Sequence, residues 1–364
     1  MPTLPTIAVA GATGAVGREM LDILAQRRFP HAAIKALASP RSAGQKLPYR
    51  DAALVVEPLT AESLRGVDIA LFSAGSAISK QFCRPAAEHG CTSIDNSSAF
   101  RMDHGVPLTI PEVNPGSLGG PAPYRVRTPD GKGRIIANPN CSTIILLMAL
   151  TPLRTAFGVD RVVVSTYQAA SGAGAKGMDE LEAQTRDDLA GRPVRPGLET
   201  GGVFHEPYAF NLFSHNTAVD PITGQNVEET KVILEARKIW DDAGVAISAT
   251  CVRVPVRRAH AESVNVTLDR AATTQQVRDA LAAFPGVSLV DDRAGNLFPT
   301  PLKASGKDDV LVGRIRPDSS RLPANAGPAE YDRPCLSFDL FICGDQLRKG
   351  AALNAVQIAE MLTL

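Results

Sequence analysis

A chain of 364 residues offers material for roughly two domains of ordinary size. Hydrophobic residues make up 44% and charged ones 21%, as in a folded globular protein, and 38 basic against 38 acidic side chains leave no electrostatic handle for nucleic acid. Apolar runs such as IILLMAL fall well short of the ~20 residues of a membrane span, and the six cysteines (83, 91, 141, 251, 335 and 343) form no C-x-x-C pair, so neither a zinc site nor a disulfide framework is expected.

That cysteine usage predicts a reducing cytoplasm, and the opening MPTLPTIAVAGATG carries no basic signal-peptide head and enters a strand at once. Residues 6–10 are an apolar strand candidate. Gly11, Gly14 and Gly17 follow, and then Met20, Leu21, Ile23 and Leu24 carry helical spacing. The triplet is G-x-x-G-x-x-G, but the physics of a dinucleotide loop holds: glycine permits a tight turn and close backbone approach, and the helix start offers N–H groups to a pyrophosphate. The second strand candidate, residues 33–38, runs into SPRSAGQ. An acidic residue that would hold a ribose 2′-hydroxyl is missing from this strand end, and Ser39, Arg41 and Ser42 stand there instead. A guanidinium with hydroxyls suits a 2′-phosphate, so NADP is the expected cofactor.

The alternation continues. Residues 67–73 (VDIALFS) read as a buried parallel strand that ends at Ala74 and Gly75, residues 79–89 as a helix, and CTSIDNSSAFR as a further strand and loop. Strands alternating with helices predict a parallel sheet covered on both faces, with cofactor at its carboxyl edge. Residues 117–133 are rich in glycine and proline and read as an exposed excursion. Next comes NPNCSTIILLMAL. Pro139 disfavours helix at Asn138, so a helix is expected to start at Asn140 or Cys141, with residues 144–150 buried. A sulfur at that terminus meets free N–H groups and a dipole that favours a thiolate. The alternative is an inert buried cysteine.

In the second half, residues 161–168 (RVVVSTYQ) are a strong strand ending in Gln168, and Ser171 and Gly172 lie in the small-residue loop after it. Residues 227–240 predict an amphipathic helix with Val232, Ile233, Ala236, Ile239 and Trp240 on its apolar side. Glu228 and Lys231 share one face of it, as a surface ion pair or as something more. In ISATCVRVPVRRAHAESVNVTL two strands flank a proline-containing link, with Arg253 in the first and His260 in the joining loop, a residue type suited to carrying protons near neutral pH. The last segment reads as a strand, a GDQ turn and a helix that returns to the cofactor domain.

Taken together, GATGAVG, DNSSAFRMD, PEVN, NPNCSTI, YQAASGAG, EETKVILEARKI, VRVPVRRAHAESV and GDQLRKGAALNAVQIAE resemble the aspartate-semialdehyde dehydrogenases, in that family's order from residue 11 to residue 360. The resemblance implies an α/β fold: a Rossmann-like NADP-binding domain over 1–139, an α+β catalytic and dimerisation domain over 140–344, and a C-terminal helix over 345–364 packing back on the first. It implies NADPH-dependent reductive dephosphorylation of L-4-aspartyl phosphate to L-aspartate 4-semialdehyde, in aspartate-family amino-acid biosynthesis, through a thioester on Cys141. His260 would be the acid/base and Gln168 would orient the nucleophile or acyl group. Arg253 would clamp the substrate carboxylate, Glu228 would hold its ammonium, and Arg101 and Lys231, with Asn140 nearby, would bind phosphate. Gly11, Thr13, Gly14, Ala15, Val16, Arg41, Ser42, Ser171, Gly172 and Gln346 would contact NADP. A homodimer is implied, without metal, membrane or nucleic acid. N-acetyl-γ-glutamyl-phosphate reductase is the nearest enzyme rival, but Asn140 and Ser142 differ from the Gly and Tyr that usually flank its cysteine. A glyceraldehyde-phosphate dehydrogenase would show Cys-Thr-Thr-Asn, and a non-catalytic NADP-binding regulator would have no reason to keep Cys141, Gln168, Arg253 and His260 together. The stretch HEPYAFNLFSHNT departs from the family's AFN-x-x-P-H pattern: AFN stands at 209–211, and Ser214 replaces the proline.

Overall fold

The computed structural model describes residues 4–119, 124, 126–128 and 130–363. The chain divides into two compact units, Met1–Asn140 with Gly350–Leu364, and Cys141–Lys349.

The first unit is built on strands β1 (Thr6–Ala10), β2 (Ala33–Ala38), β3 (Lys46–Tyr49), β4 (Ala52–Pro58), β5 (Ile69–Phe72), β6 (Thr92–Asp95) and β7 (Ile135–Ala137), in the order β3-β4-β2-β1-β5-β6-β7. All neighbours are parallel except the edge hairpin β3–β4, whose turn the sequence reading passed over. The central strands are runs of Ala, Val, Ile and Leu because both faces are covered. Helix α1 (Ala15–Gln26) buries Met20, Leu21, Ile23 and Leu24. Helix α2 (Ser76–Glu88) begins three residues before the expected start, N-capped by Gly75 at φ +87°. The C-terminal helix belongs to this unit and packs on α1, where Arg27 makes a two-bond fork to Glu360 at 2.7 and 2.8 Å. The 117–133 stretch is not wholly an exposed excursion: Leu118 is buried in the core, and Arg127 grips the Gly90 carbonyl and the Asp68 carboxylate. Residues 120–123, 125 and 129 of that stretch lie outside the described residues.

The second unit opens with α3 (Cys141–Phe157), followed by β8 (Arg161–Gln168), α4 (Gly174–Leu189), the single-turn helix α5 (Gly197–Thr200), β9 (Phe213–Ser214), α6 (Val227–Trp240), β10 (Ala246–Arg253), β11 (His260–Ala272), α7 (Thr274–Ala282) and β12 (Val287–Leu289). Then come α8 (Pro301–Ala304), β13 (Val310–Pro317), α9 (Pro328–Tyr331) and β14 (Cys335–Gly344), and the C-terminal helix α10 (Leu353–Thr363) rejoins the first unit. The mixed sheet runs β12-β13-β14-β11-β8-β10-β9. Strand β8 alternates strictly, with Val162, Val164, Thr166 and Gln168 buried and Arg161, Val163, Ser165 and Tyr167 less so, so one sheet face carries α3, α6 and α7 and the other stays half open. Asn226 and Glu229 close a reciprocal capping box on α6, a device that contributes about 1 kcal/mol and sets where Glu228 points.

Register does the rest. Arg253 pairs with Gln168 and with Phe213, and His260 pairs with Gly344, one step beyond the Ala261–Tyr167 pair. Gly344, His260, Gln168, Arg253 and Phe213 therefore form one row across β14, β11, β8, β10 and β9. His260 was expected in a loop; it is the first residue of β11, because antiparallel pairing with β14 begins there.

Candidate active site

In the first unit the expected cofactor residues gather at the carboxyl ends of three adjacent parallel strands. Gly11, Thr13 and Gly14 follow β1 and lead into Ala15 and Val16 at the start of α1. Ser39, Arg41 and Ser42 follow β2 in a short 3-10 turn, and Ala74 and Gly75 follow β5. Gly11 has φ +87°, and a Cβ there would lie 2.3 Å from the Ser73 carbonyl oxygen, so only glycine lets the two loops approach. Gly14 caps α1 without a side-chain hydrogen bond, which leaves the helix start open to an anion. Arg41 is exposed. Arg101 and Asn140 also belong to this unit. Arg101 is buried and donates from Nε to the Asn138 carbonyl (2.9 Å) and from Nη2 to the Asn96 carbonyl (2.8 Å). Asn138 in turn donates to Asn96 and accepts from Asn354, so the turn leading to Asn140 is pinned from several sides.

In the second unit Cys141 is the first residue of a 17-residue helix, and its Sγ lies 3.5 Å from His260 Nε2. His260 is fully buried, and its Nδ1 accepts the Ala169 N–H at 3.0 Å. With Nδ1 occupied as an acceptor, the neutral ring carries its proton on Nε2, facing the sulfur. Burial, aided by the Arg253 charge, lowers the His260 pKa well below its usual value, against a smaller opposing pull from Glu228. The proton carrier expected from the sequence is thus a ring held neutral. Buried Cys251 and Cys343 have their thiols pushed up by desolvation, and Cys91 rises to about 12 for the same reason.

Gln168 donates to Thr166 Oγ1 (3.2 Å) and lies 3.5 Å from Glu228 Oε1. Glu228 is buried and takes the Lys231 ammonium at 3.0 Å, so the helical pair is no ordinary surface bridge. Arg253 is 3% exposed. Its Nη1 donates to the Ala169 carbonyl (2.9 Å) and its Nε to Asn216 Oδ1 (3.1 Å), and the guanidinium sits 5.8 Å from the Phe204 ring centre. Those bonds take Nε and a hydrogen of Nη1 and leave Nη2 for another partner. Gly172 stands hard against this group: a Cβ on it would lie 2.7 Å from Arg253 Nη1 and 3.1 Å from His260 Cε1. Ser171 is buried and bonded to Gln346. Among the described residues no set of three His, Cys, Asp or Glu is arranged to hold a metal ion.

Residues 6–120 match the family model of the semialdehyde dehydrogenase NAD binding domain, and residues 150–325 that of the dimerisation domain. An aspartate-semialdehyde dehydrogenase of Synechocystis sp. is 44% identical over 364 residues, spanning 100% of this chain and 98% of its own. The chain belongs to the aspartate-semialdehyde dehydrogenase family. The Bacillus subtilis aspartate-semialdehyde dehydrogenase is 42% identical, over 98% of this chain and 95% of its own. The crystal structure of aspartate semialdehyde dehydrogenase II complexed with ASA from Vibrio cholerae has a TM-score of 0.88 at 39% identity, with coverage of 100% and 99%.

Three features of this family member escaped the sequence reading. His215 is buried beside the Arg253–Glu228–Lys231 group, and burial together with the Arg253 and Lys231 charges lowers its pKa to about 3. Asn216 orients Arg253, and His215 and Asn216 both lie in the FSHN segment, read only as a departure from pattern. A hydrophilic His-Asn pair after the short β9 was the available signal. The third is Glu262, two rows below His260 and paired with Thr166. It is fully buried, neither carboxyl oxygen has a hydrogen-bond partner among the described residues, and desolvation pushes its pKa well above 4.5.

Proposed function

We infer that the chain catalyses NADPH-dependent reductive dephosphorylation of L-4-aspartyl phosphate to L-aspartate 4-semialdehyde, phosphate and NADP, a step of aspartate-family amino-acid biosynthesis. The observation that carries this reading is the placement of Cys141 Sγ at a helix start, 3.5 Å from a buried imidazole, in the same unit as an Arg253–Glu228–Lys231 charge group.

The chemistry follows from these groups. The Cys141 thiolate attacks the acyl-phosphate carbonyl: a C–S bond forms, the C–O bond to phosphate breaks, and phosphate leaves. When bound, NADPH supplies the hydride that reduces the thioester carbon. The Nε2–H of His260 is placed to donate to the oxyanion that develops on that carbon, with N–H groups of the α3 start as further donors. Cleavage of the C–S bond then releases the aldehyde and restores the thiolate, so no proton need be carried to sulfur. A neutral imidazole serves in this step, which accords with the lowering of its pKa by burial. Gln168, held by Thr166, positions the acyl group. Arg253 offers Nη2 to the substrate carboxylate, and Glu228 takes the ammonium, which favours a free amino acid over an N-acylated one. Arg101, Lys231 and Asn140 are the phosphate ligands in this reading.

The carboxyl-edge cluster of Gly11, Thr13, Gly14, Ala15, Val16, Ser39, Arg41, Ser42, Ala74 and Gly75 suits NADP, because the glycine approach and the open α1 start accept a pyrophosphate and Arg41 accepts a 2′-phosphate. Ser171, Gly172 and Gln346 would meet the reacting end. A homodimer is supported by the dimerisation-domain match and by the half-open sheet face of β8, β10 and β11. Among the described residues no helix is long and apolar enough to cross a membrane, and a cytoplasmic site of action accords with six free thiols.

Phosphate-dependent reduction of NADP tests the reading directly. Turnover with L-aspartate semialdehyde and none with N-acetyl-glutamate semialdehyde is expected. The reverse preference would leave the Cys141 chemistry standing and overturn the Glu228–Arg253 assignment.

A further inference from the structure

Ala259 immediately precedes His260, is fully buried, and has φ +72°. An alanine in the left-handed region is strained and persists only where its surroundings hold it. Two adjacent side chains provide that hold. Gln346 is 2% exposed, and its Oε1 accepts the Ala259 N–H at 2.9 Å while its Nε2 donates to Ser171 Oγ. Asp345, fully buried, takes Arg258 Nε at 2.8 Å and the backbone N–H groups of Gly306 and Leu347. The two residues before His260 are thus gripped in turn by residues 345 and 346, just beyond the end of β14. Besides its contact with Cys141, the His260 ring is anchored by the Ala169 N–H on Nδ1. A free Ala259 would relax to negative φ and swing the start of β11, and with it Nε2, away from the sulfur.

We propose that Gln346 is a positioning residue for His260: by holding Ala259 left-handed and tying it to the Ser171 loop, it keeps His260 Nε2–H aimed at Cys141 Sγ even when no cofactor is bound. This goes beyond a cofactor contact, the role the family resemblance suggests for Gln346. It rests on the pairing of His260 with Cys141 but not on the identity of the substrate.

The test is the pH dependence of Cys141 alkylation by iodoacetamide in the free, full-length enzyme, followed by peptide mass spectrometry without NADP or substrate. Loss of the Nε2–H bond to the sulfur disfavours the thiolate. Gln346→Met is therefore expected to slow alkylation about 5-fold at neutral pH and to move the midpoint of the profile upward. Gln346→Asn, one methylene too short to reach Ala259, should do the same if the apolar variant does not fold. Adding Ala259→Gly should recover part of the lost rate, since glycine takes positive φ without being held. Unchanged rate and midpoint in both Gln346 variants would overturn the proposal and leave Gln346 a cofactor contact alone. Failure of Ala259→Gly to recover any rate would overturn the route through the backbone. A wrong substrate assignment would show in turnover assays and leave these alkylation rates untouched.

Discussion

The two units assemble their candidate ligand-holding groups in opposite ways. In the first, the chain offers backbone: glycines chosen for the side chain they lack, and an uncapped helix start, all within a few residues of one another in sequence. In the second it offers side chains, set in a row by strand register between segments about a hundred residues apart. The Arg253–Gln168 pair spans β10 and β8, and His260 enters from β11. A backbone cradle tolerates changes in neighbouring side chains. A row of side chains is sensitive to any atom that crowds it.

That contrast can be broken, beginning with the largest effect. Cys141→Ser should lower turnover by at least about 10³-fold, as expected when a nucleophile is removed, while NADP affinity in fluorescence titration stays within about 2-fold because the cradle lies in the other unit. Turnover near normal would sink the thioester mechanism. Gly172→Ala places a methyl 2.7 Å from Arg253 Nη1 and near the His260 ring. It should cost about 100-fold in kcat/KM, since small displacements of aligned groups are expensive, and steady-state kinetics within a factor of two of the parent would show the row is loosely built. Arg41→Ala should weaken NADPH about 10-fold with little change for NADH; equal losses for the two cofactors would remove the 2′-phosphate role.

The smallest effect concerns stability. Glu262 has a pKa raised above 4.5 by burial, so its neutral form is the one the fold accepts. Keeping it protonated costs nothing below the unfolded value and progressively more as pH rises toward the folded value. Glu262→Gln removes that cost, and its gain in Tm over the parent should grow from about pH 5 to about pH 8, at roughly 2 °C per kcal/mol for a long chain. A gain that stays flat over this range would mean the carboxyl is ionised and compensated.

Much of the scaffold was legible beforehand. Thr6–Ala10, Ala33–Ala38, Arg161–Gln168 and Val227–Trp240 carry apolar patterns or periods so plain that their limits coincide with those read from sequence. Cys141 at a helix start followed from Pro139 and the apolar run behind it. The second unit's partnerships were not legible, because register is a property of pairs of strands and no single segment encodes it. His260 was assigned to a loop because Pro255 and the two arginines after it suggest one. The strand starts at His260 because its pairing with Gly344 of β14 begins there, and that partner lies more than eighty residues on. The roles of Asn216 and His215 were hidden for the same reason: Arg253 lies some forty residues on and is brought beside them by the short β9–β10 pairing.

The most direct test of the account is mass spectrometry of the enzyme mixed with L-4-aspartyl phosphate in the absence of NADPH. One aspartyl group on the peptide carrying Cys141, removed by hydroxylamine and formed with release of one phosphate per site, is the predicted result. An unmodified Cys141, or an acyl group on any other residue, would contradict it.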